Sequence, residues 1–431
     1  MQGVRREHAW RSRAAILFIC AAIALWGFAH RLYTTLLPDL AAVQALSSLE
    51  IDLARAGLAI GYVLMTLPAA FVSRNLGYKI GMVIGLGAIA VGMFLFYPAV
   101  EHHSYGYFFV AATIMGSGLA LMEVMTAALI VFLGSRDSAA QRSNLAQAFA
   151  PAGALAGMFF GQHILGEVFA APPGQSAHAL VLPLFSLGTA IIVLMFLIDL
   201  LDFPPVAGER VARGKSTLAS FAPPLQQPFF RYALIAQFLS LGAQIVLAAF
   251  AVRYCLATVP GLGKQEAHAV FVWCIAAFGA GRLIGPLLML RLDPMDVLVA
   301  FSAATLLCGT MMVLGGGQMG VAALIATSFF LSIQYPTIFA YAIRDLGEMA
   351  KSGASLLIFV AFSGTAVLAL AAVTAKPFSA PQVMVLTLPC FAGALYFTLA
   401  MRRLLHPKTD RTAAGCLTPG KAPRPKMSVQ E

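Results

Sequence analysis

A single carboxylate lies inside a long apolar stretch of the chain. Residues 106–133 read GYFFVAATIMGSGLALMEVMTAALIVFL, with Glu123 inside, and the run is about as long as a helix that crosses a membrane. A charged side chain at that depth costs about 2.5–3.5 kcal/mol on insertion scales, so such residues usually face a cavity or a partner. The sequence therefore predicts a functional role for Glu123. The alternative is a carboxylate held in a structural pair between helices.

Three polar residues share one face of the first apolar run. His30 lies four residues before Thr34 and Arg31 lies three before it, so a helix brings them within one turn. Imidazole titrates near neutral pH, which makes His30 a candidate proton carrier; packing against a neighbouring helix is the alternative. An arginine inside a membrane helix needs an anion, a carbonyl oxygen or water. Arg31 therefore either faces a cavity or extends toward the outer membrane interface.

Amide side chains and one phenol occur in other apolar runs. Asn144 and Gln147 are three residues apart on one helix face, and Gln244, Gln334 and Tyr335 follow in the second half of the chain. Sugars need hydrogen-bond donors and acceptors in opposing pairs, and a flat apolar or aromatic surface for their C–H faces. These five residues offer that chemistry. For each amide, the alternative is a hydrogen bond to a neighbouring helix within the membrane.

The elements that position these residues are membrane helices. Of 431 residues, 60% are hydrophobic and 11% are charged, whereas a soluble domain carries about 25% charged residues. Apolar runs of membrane length fall at 14–37, 55–73, 79–99, 106–133, 143–168, 179–201, 231–256, 265–290, 295–315, 319–343, 353–375 and 379–401. We predict an all-α membrane protein with twelve transmembrane helices in two pseudo-symmetric six-helix bundles.

The charge pattern divides the chain and orients it. We predict an N-terminal half at 1–201, a linker at 202–230, a C-terminal half at 231–403 and a disordered tail at 404–431. Basic residues lie in the linker and in alternate loops, so both termini and the linker are expected on the cytoplasmic side of a bacterial inner membrane. The net charge of +10 is thus a topology signal, and no nucleic-acid partner is expected. We expect a monomer in contact with membrane lipid.

Two connections at matching places in the halves contain glycine and basic residues. The segment 68–79 holds Arg74 and Lys79, and the segment 281–291 holds Arg282 and Arg291. Glycines let helix ends approach closely, and arginines can hydrogen-bond exposed helix carbonyls or acidic helix ends. We predict that these are gating loops. Pro336 removes a backbone donor and is expected to bend its helix, which suits a gate.

The motifs disfavour enzyme chemistry. The sequence contains no phosphate-binding loop of the GxxxxGKS type, no metal-ligand spacing such as HExxH, and no readable Ser/His/Asp arrangement. The six cysteines are scattered without a disulfide or metal spacing. We therefore expect no enzyme activity, no metal and no cofactor.

The finer motifs resemble those of a known family. They are Trp26-Gly27, Leu36-Leu37-Pro38, Gly77-Tyr78-Lys79, Glu123, Asn144-Leu145-Ala146-Gln147, Ala236-Gln237-Phe238, Gly242-Ala243-Gln244, Arg253-Tyr254 and the octapeptide SIQYPTIF at 332–339. From about residue 15 to 403 the chain resembles the fucose–galactose–glucose proton symporter family of the major facilitator superfamily. The resemblance implies the major facilitator fold and sugar transport by alternating access, with Glu123 as proton carrier.

Some positions depart from the family pattern. The family has an Asn-Asp pair, whose Asp is thought to take part in proton coupling, where this chain has Tyr33 and Thr34; an Asn of the family is replaced by Ala150. Our leading hypothesis is proton-coupled transport of a monosaccharide or related polyol. Its proton groups are Glu123 and His30, and its substrate ligands are Arg31, Thr34, Asn144, Gln147, Gln244, Gln334 and Tyr335. The alternatives are an anionic sugar, such as a hexuronate, paired with Arg31, and a non-transporting sugar sensor.

Overall fold

The computed structural model describes residues 2–43, 47–102, 104–169, 176–201, 218–360 and 379–405. These residues form helices and contain no strand. The N-terminal half contains α1 (Gln2–Val43), α2 (Ser48–Thr66), α3 (Pro68–Asn75), α4 (Tyr78–Glu101), α5 (Tyr105–Phe132), α6 (Ala139–Gln147), α7 (Phe149–Phe169) and α8 (Ser176–Leu200). The C-terminal half contains α9 (Ala222–Leu225), α10 (Pro228–Thr258), α11 (Lys264–Leu288), α12 (Pro294–Gly315), α13 (Gly317–Leu331), α14 (Gln334–Arg344), α15 (350–360), α16 (Ala380–Val385) and α17 (Thr387–Leu405).

Most of the predicted spans correspond to helices of the structure. Within the described residues, nine helical segments are long and apolar enough to cross a membrane, and α2 with α3 forms a tenth, bent one. The predicted helix at 143–168 is formed by α6 and α7. The predicted helix at 353–375 begins in α15, and 361–378 lie outside the described residues. The predicted linker at 202–230 and tail at 404–431 also fall largely outside them.

Prolines mark the breaks in three of the spans. The helix α2 meets α3 at an angle of 47°, α6 meets α7 at Ala148, and α13 is separated from α14 by Ser332 and Ile333. Pro68, Pro151 and Pro336 each lie in the first turn of the helix that follows the break. Proline has no backbone N–H and clashes with the preceding turn, but the first turn of a helix does not need that donor. Each span therefore restarts at its proline.

Within the N-terminal half, helices pack through glycines. The helix α1 contacts α7, and α2 contacts α5. A methyl group on Gly153 would lie 1.9 Å from the carbonyl oxygen of Ala24, and one on Gly116 would lie 2.1 Å from that of Leu58. Small residues allow such close backbone approach between membrane helices. These contacts fix α1 and α2, which contribute to the site described below.

The two halves meet at one end of the bundle. It is formed by the connections at 76–77, 133–138, 289–293 and 345–349, and we call it the basic end after the lysines and arginines in and beside them, which include Arg74, Lys79, Arg136, Arg291 and Arg344. The contacts between the halves there include Arg74 Nη1 to Ser352 Oγ at 3.2 Å, Gln141 Nε2 to the Pro286 carbonyl at 3.2 Å, Asn144 Nδ2 to Thr337 Oγ1 at 2.8 Å, and the exposed pair Arg136–Asp345 at 3.4 Å.

The apolar cores follow the same division. One core runs through the N-terminal half and continues into the basic end of the C-terminal half, where Met289 and Ile338 belong to it. A second core, which includes Val246 and Leu324, lies apart within the C-terminal half. The halves therefore share a core at the basic end and are separated toward the opposite end.

Candidate functional site

A cavity of about 730 Å³ lies between the halves. Its walls come from α1, α2, α5 and α7 on one side and from α10, α11, α13 and α14 on the other. The lining is mostly apolar, and its polar side chains include Trp26, His30, Arg31, Thr34, Tyr62, Glu123, Gln244, Arg282, Ser328 and Tyr335. Small-molecule sites have volumes of about 300–1,000 Å³ and the same mixture of apolar wall and few polar groups. The cavity is therefore the candidate functional site.

The carboxylate of Glu123 joins the two halves at the floor of this cavity. Along α11 and α14, the lining residues nearest the basic end are Arg282 and Tyr335. The Tyr335 hydroxyl donates to Glu123 Oε1 at 2.6 Å, and the Tyr62 hydroxyl of α2 donates to Glu123 Oε2. Among the described residues, no ion pair includes Glu123. Because its partners are neutral hydroxyls, this carboxylate can gain or lose a proton without breaking an ion pair.

The α1 wall presents aromatic and basic groups to the cavity. The rings of Trp26 and His30, one helical turn apart, stack with centroids 5.8 Å apart and an interplanar angle of 8°. The Arg31 guanidinium lies over the ring of Phe271 from α11, 5.2 Å from its centroid. The Thr34 hydroxyl donates to the Arg31 carbonyl at 3.0 Å. Arg31 therefore faces the cavity in this structure, which was one of its two predicted environments.

Arg282 links the broken helices of both halves. The prediction grouped it with the gating loops, but it lies inside α11, is 5% exposed and lines the cavity. Its Nη1 donates to the carbonyl of Gln147 at 2.7 Å, and its Nε donates to the carbonyl of Ser332 at 3.2 Å. In a continuous helix these carbonyls would accept from residues 151 and 336, which are prolines without an N–H. The guanidinium thus supplies the two donors that the prolines lack.

Three of the four predicted amide ligands lie outside the cavity lining. Asn144 donates to the Ala140 carbonyl and to Thr337 Oγ1, both at 2.8 Å. Gln334 accepts from Ser240 at 2.6 Å and donates to Thr305 at 3.0 Å. The side-chain Oε1 of Gln147 lies 3.5 Å from Arg282 Nη1, beside the backbone bond described above. These contacts match the alternative role of amides as hydrogen bonds between helices. Gln244 is the predicted amide that lines the cavity.

The other predicted gating residues lie at the basic end. Arg74 contacts Ser352 of the opposite half. Lys79 instead donates to the Asp199 carbonyl at 2.6 Å, within its own half. Arg291 is exposed in the connection between α11 and α12. Of the four, Arg74 and Arg282 thus bridge the halves.

Sequence reasoning missed many residues of the cavity as site members, among them Tyr62, Phe271 and Trp26. Tyr62 has no sequence signal, because nothing local distinguishes it as the partner of Glu123. Phe271 is one of 31 phenylalanines, and only the fold brings it to Arg31. Trp26 belongs to a quoted motif, and its spacing of four from His30 was a usable signal for stacking. Within the described residues, no group of three or more His, Cys, Asp or Glu side chains is arranged to hold a metal.

Comparison with known proteins agrees with this architecture. The family model described as Major Facilitator Superfamily matches residues 17–370. An L-fucose-proton symporter of Escherichia coli K12 is 31% identical over 83% of this chain and 86% of its own length. A glucose/galactose transporter of Brucella abortus biovar 1 is 28% identical over 87% of this chain and 91% of its own.

The solved structures extend the likeness to three dimensions. The crystal structure of the transporter FucP in the outward conformation has a TM-score of 0.83 and 29% identity, and the match covers 91% of this chain and 99% of that one. The predicted resemblance and the predicted twelve-helix fold are confirmed by these comparisons. The chain belongs to the major facilitator superfamily, in the family of the L-fucose–proton symporters.

Proposed function

We propose that this protein is a secondary active transporter that moves a monosaccharide or related polyol together with a proton. The observation that carries the proposal is the cavity between the halves, whose floor is a carboxylate bonded to hydroxyls from both. The relatives named above are described as a fucose–proton symporter and a glucose/galactose transporter. Secondary transporters bind their substrate at the interface of two repeats and open this site alternately to each side of the membrane.

The cavity offers the groups that a sugar needs. The rings of Trp26 and Phe271 provide flat apolar surfaces for C–H faces, and Gln244 provides a donor and an acceptor. Arg31, Thr34 and Tyr335 add further polar atoms. Asn144, Gln147 and Gln334 then act indirectly, by holding the helices below the cavity. The side-chain contacts of these three amides support this division between contact and support.

Glu123 is the proton carrier in this scheme, and His30 is the second candidate. The hydroxyl of Tyr335 reaches Glu123 from the C-terminal half, so the protonation state of Glu123 alters a contact between the halves. Hydrogen bonds to a charged group contribute about 1.5–3 kcal/mol, roughly twice those between neutral groups. Protonation therefore weakens one tie that keeps the floor closed. That is the coupling that a symporter requires between its proton and its conformational change.

The protein is an integral membrane protein, and its orientation is part of the proposal. We place the basic end in the cytoplasm of a bacterial inner membrane, with both termini and the linker at 202–230 on that side, because loops rich in Lys and Arg stay inside. The halves at 1–201 and 231–403 are the moving units, the tail at 404–431 is outside them, and a monomer suffices for transport. The cavity then opens outward, in agreement with the likeness to an outward conformation.

Reconstituted vesicles test this function. The purified protein in proteoliposomes is expected to exchange labelled sugar in counterflow and to accumulate it when an inward proton gradient is applied. The screen includes neutral hexoses, polyols and sugar acids. If the protein binds a sugar but no compound of the screen shows counterflow, the protein is a sugar sensor and the proposal is overturned.

A further inference from the structure

Arg31 is a cation of the cavity lining that has no ion-pair partner among the described residues. Its Nε is buried and makes no hydrogen bond within the described part of the chain. Its guanidinium forms none of the ion pairs found among the described residues. Its one ring contact is with Phe271, at 5.2 Å. Arg31 is half-buried, and a cation that loses part of its hydration normally gains an anion or acceptors, because that loss is costly.

The other charged groups of the cavity already have partners. Arg282 donates to two backbone carbonyls, and Glu123 accepts from two tyrosine hydroxyls. With these groups ionised, the lining carries two positive charges and one negative charge. The indole Nε1 of Trp26 is a second buried donor without an acceptor in the described residues. The cavity therefore has an excess of positive charge and of donors, and both belong to α1.

We propose that the substrate is a sugar acid whose carboxylate binds Arg31. The inference rests on the proposed transport function and specifies its substrate class: a monosaccharide with one carboxylate, of the aldonate or uronate type. Arginine binds carboxylates by charge-assisted hydrogen bonds, often through two N–H groups at once. One uncommitted cation matches one negative charge, whereas a sugar phosphate carries about −1.5 to −2 at neutral pH. The mostly apolar wall of the cavity remains available for the body of the sugar.

The proposal has an electrical consequence. A monovalent anion that enters with one proton moves no net charge across the membrane. Uptake of the sugar acid is therefore expected to follow an imposed pH gradient and to be unaffected by an imposed membrane potential. A neutral sugar that entered with one proton would carry one positive charge, and its uptake would respond to both.

Binding to the purified protein tests the proposal without requiring transport. The probes are D-glucose, D-gluconate, D-glucuronate and D-glucose 6-phosphate, measured by tryptophan fluorescence or calorimetry. We expect one of the two carboxylates to bind at least about tenfold more tightly than glucose. Arg31→Gln is expected to lower that affinity by roughly tenfold or more, the size expected for one charged hydrogen bond. Arg31→Lys, which keeps the charge, is expected to retain part of it.

A matched arginine serves as the control. Arg253 lies over the ring of Phe250 at 5.6 Å, as Arg31 lies over Phe271, but it is exposed and does not line the cavity. Arg253→Gln is expected to leave all affinities unchanged. Thermal unfolding of each variant in detergent separates loss of the site from loss of the fold.

The outcomes are distinct. Three results would each overturn the proposal. Glucose could bind more tightly than both carboxylates, glucose 6-phosphate could bind more tightly than both carboxylates, or Arg31→Gln could bind the acid as tightly as the wild type does. If neutral sugars are accumulated with protons while no acid binds, the transport function stands and the substrate class is wrong. If the acid binds through Arg31 but counterflow fails for every sugar, the substrate class stands and the transport function is wrong.

Discussion

The floor of the cavity depends on one side chain that both halves share. Glu123 comes from α5, Tyr62 from α2 and Tyr335 from α14. The hydrogen bonds of the carboxylate therefore connect three helices and both halves. Its proton state and the closure of the floor are therefore linked through two hydroxyl hydrogens. A substitution of Glu123 can remove the ability to exchange that proton while keeping the shape of the side chain.

Glu123→Gln keeps the size of the side chain and its capacity to hydrogen-bond both tyrosines, but an amide cannot release a proton. Accumulation driven by a pH gradient is expected to fall to background, while counterflow, which needs no net proton movement, is retained. Both are measured in proteoliposomes with the preferred sugar. The exposed carboxylate of Glu348 provides the control, because Glu348→Gln should leave both activities intact. Full gradient-driven accumulation by Glu123→Gln would exclude Glu123 as the obligatory carrier.

The sequence predicted the positions of charged residues in the cavity better than those of amide residues. Glu123 and Arg31 stand out because ionised groups are rare in apolar runs, and both line the cavity. Asn144 and Gln334 carry the same sugar-binding chemistry as Gln244, yet they bond neighbouring helices. An amide satisfies either role equally well. Which role it takes depends on the partners that tertiary packing brings near, and one sequence does not contain that information.

The helices that carry the site are held by close backbone contact. The helix α1, which supplies Arg31, approaches α7 so closely that a methyl group on Gly153 would overlap the Ala24 carbonyl at 1.9 Å. Gly153→Ala is therefore expected to push the two helices apart and to destabilise the protein by about 1–3 kcal/mol, the usual cost of overpacking. Thermal unfolding in detergent measures the effect. At Gly87 the nearest atom to an added methyl group is 3.5 Å away, so an unchanged melting temperature is expected for Gly87→Ala. An equal melting temperature for Gly153→Ala would mean that α1 and α7 are less tightly packed than described.

The broken helices of the two halves are joined by Arg282. Lysine has one terminal nitrogen instead of a planar fork, so Arg282→Lys cannot hold the carbonyls of Gln147 and Ser332 in the same geometry. We expect this variant to spend more time open at the basic end. Spin labels on Asp137→Cys and Glu348→Cys, exposed positions of opposite halves at that end, should report a longer or broader distance distribution. Arg291→Lys, a basic residue exposed at the same end, should give the wild-type distribution. Identical distributions for both variants would show that Arg282 does not restrain the halves.

For the whole molecule, the charge pattern and the lengths of the apolar runs predicted the number of spans but not how the helices bend and pack. Apolar runs gave most of the spans, and the bend at Pro336 was expected, but the breaks at Pro68 and Pro151 were not. The bend of 47° between α2 and α3 was not predictable, because a proline permits a bend while the neighbouring helices determine its angle. The cavity was equally inaccessible, since its lining comes from eight helices that are distant in sequence.

The orientation of the protein in the membrane can be tested by cysteine labelling. A single cysteine at position 216 in the linker, introduced after replacement of the six native cysteines, should react with a membrane-impermeant maleimide in inside-out vesicles. It should be protected in intact cells, because the linker and the basic loops stay in the cytoplasm. Labelling in intact cells would show that the orientation is the reverse of the one proposed. The cavity of this structure would then open to the cytoplasm.

The contact made by Arg282 also bears on how this family can be studied from its sequences. Its acceptors are main-chain oxygens, and every residue type supplies one. Positions 147 and 332 can therefore change without losing these two hydrogen bonds, whereas a residue with an N–H at 151 or 336 introduces a competing donor. Methods that infer contacts from paired substitutions should find no covariation between 282 and either acceptor position. One of the links between the two halves would thus remain invisible to sequence statistics, although a single substitution of the arginine removes it.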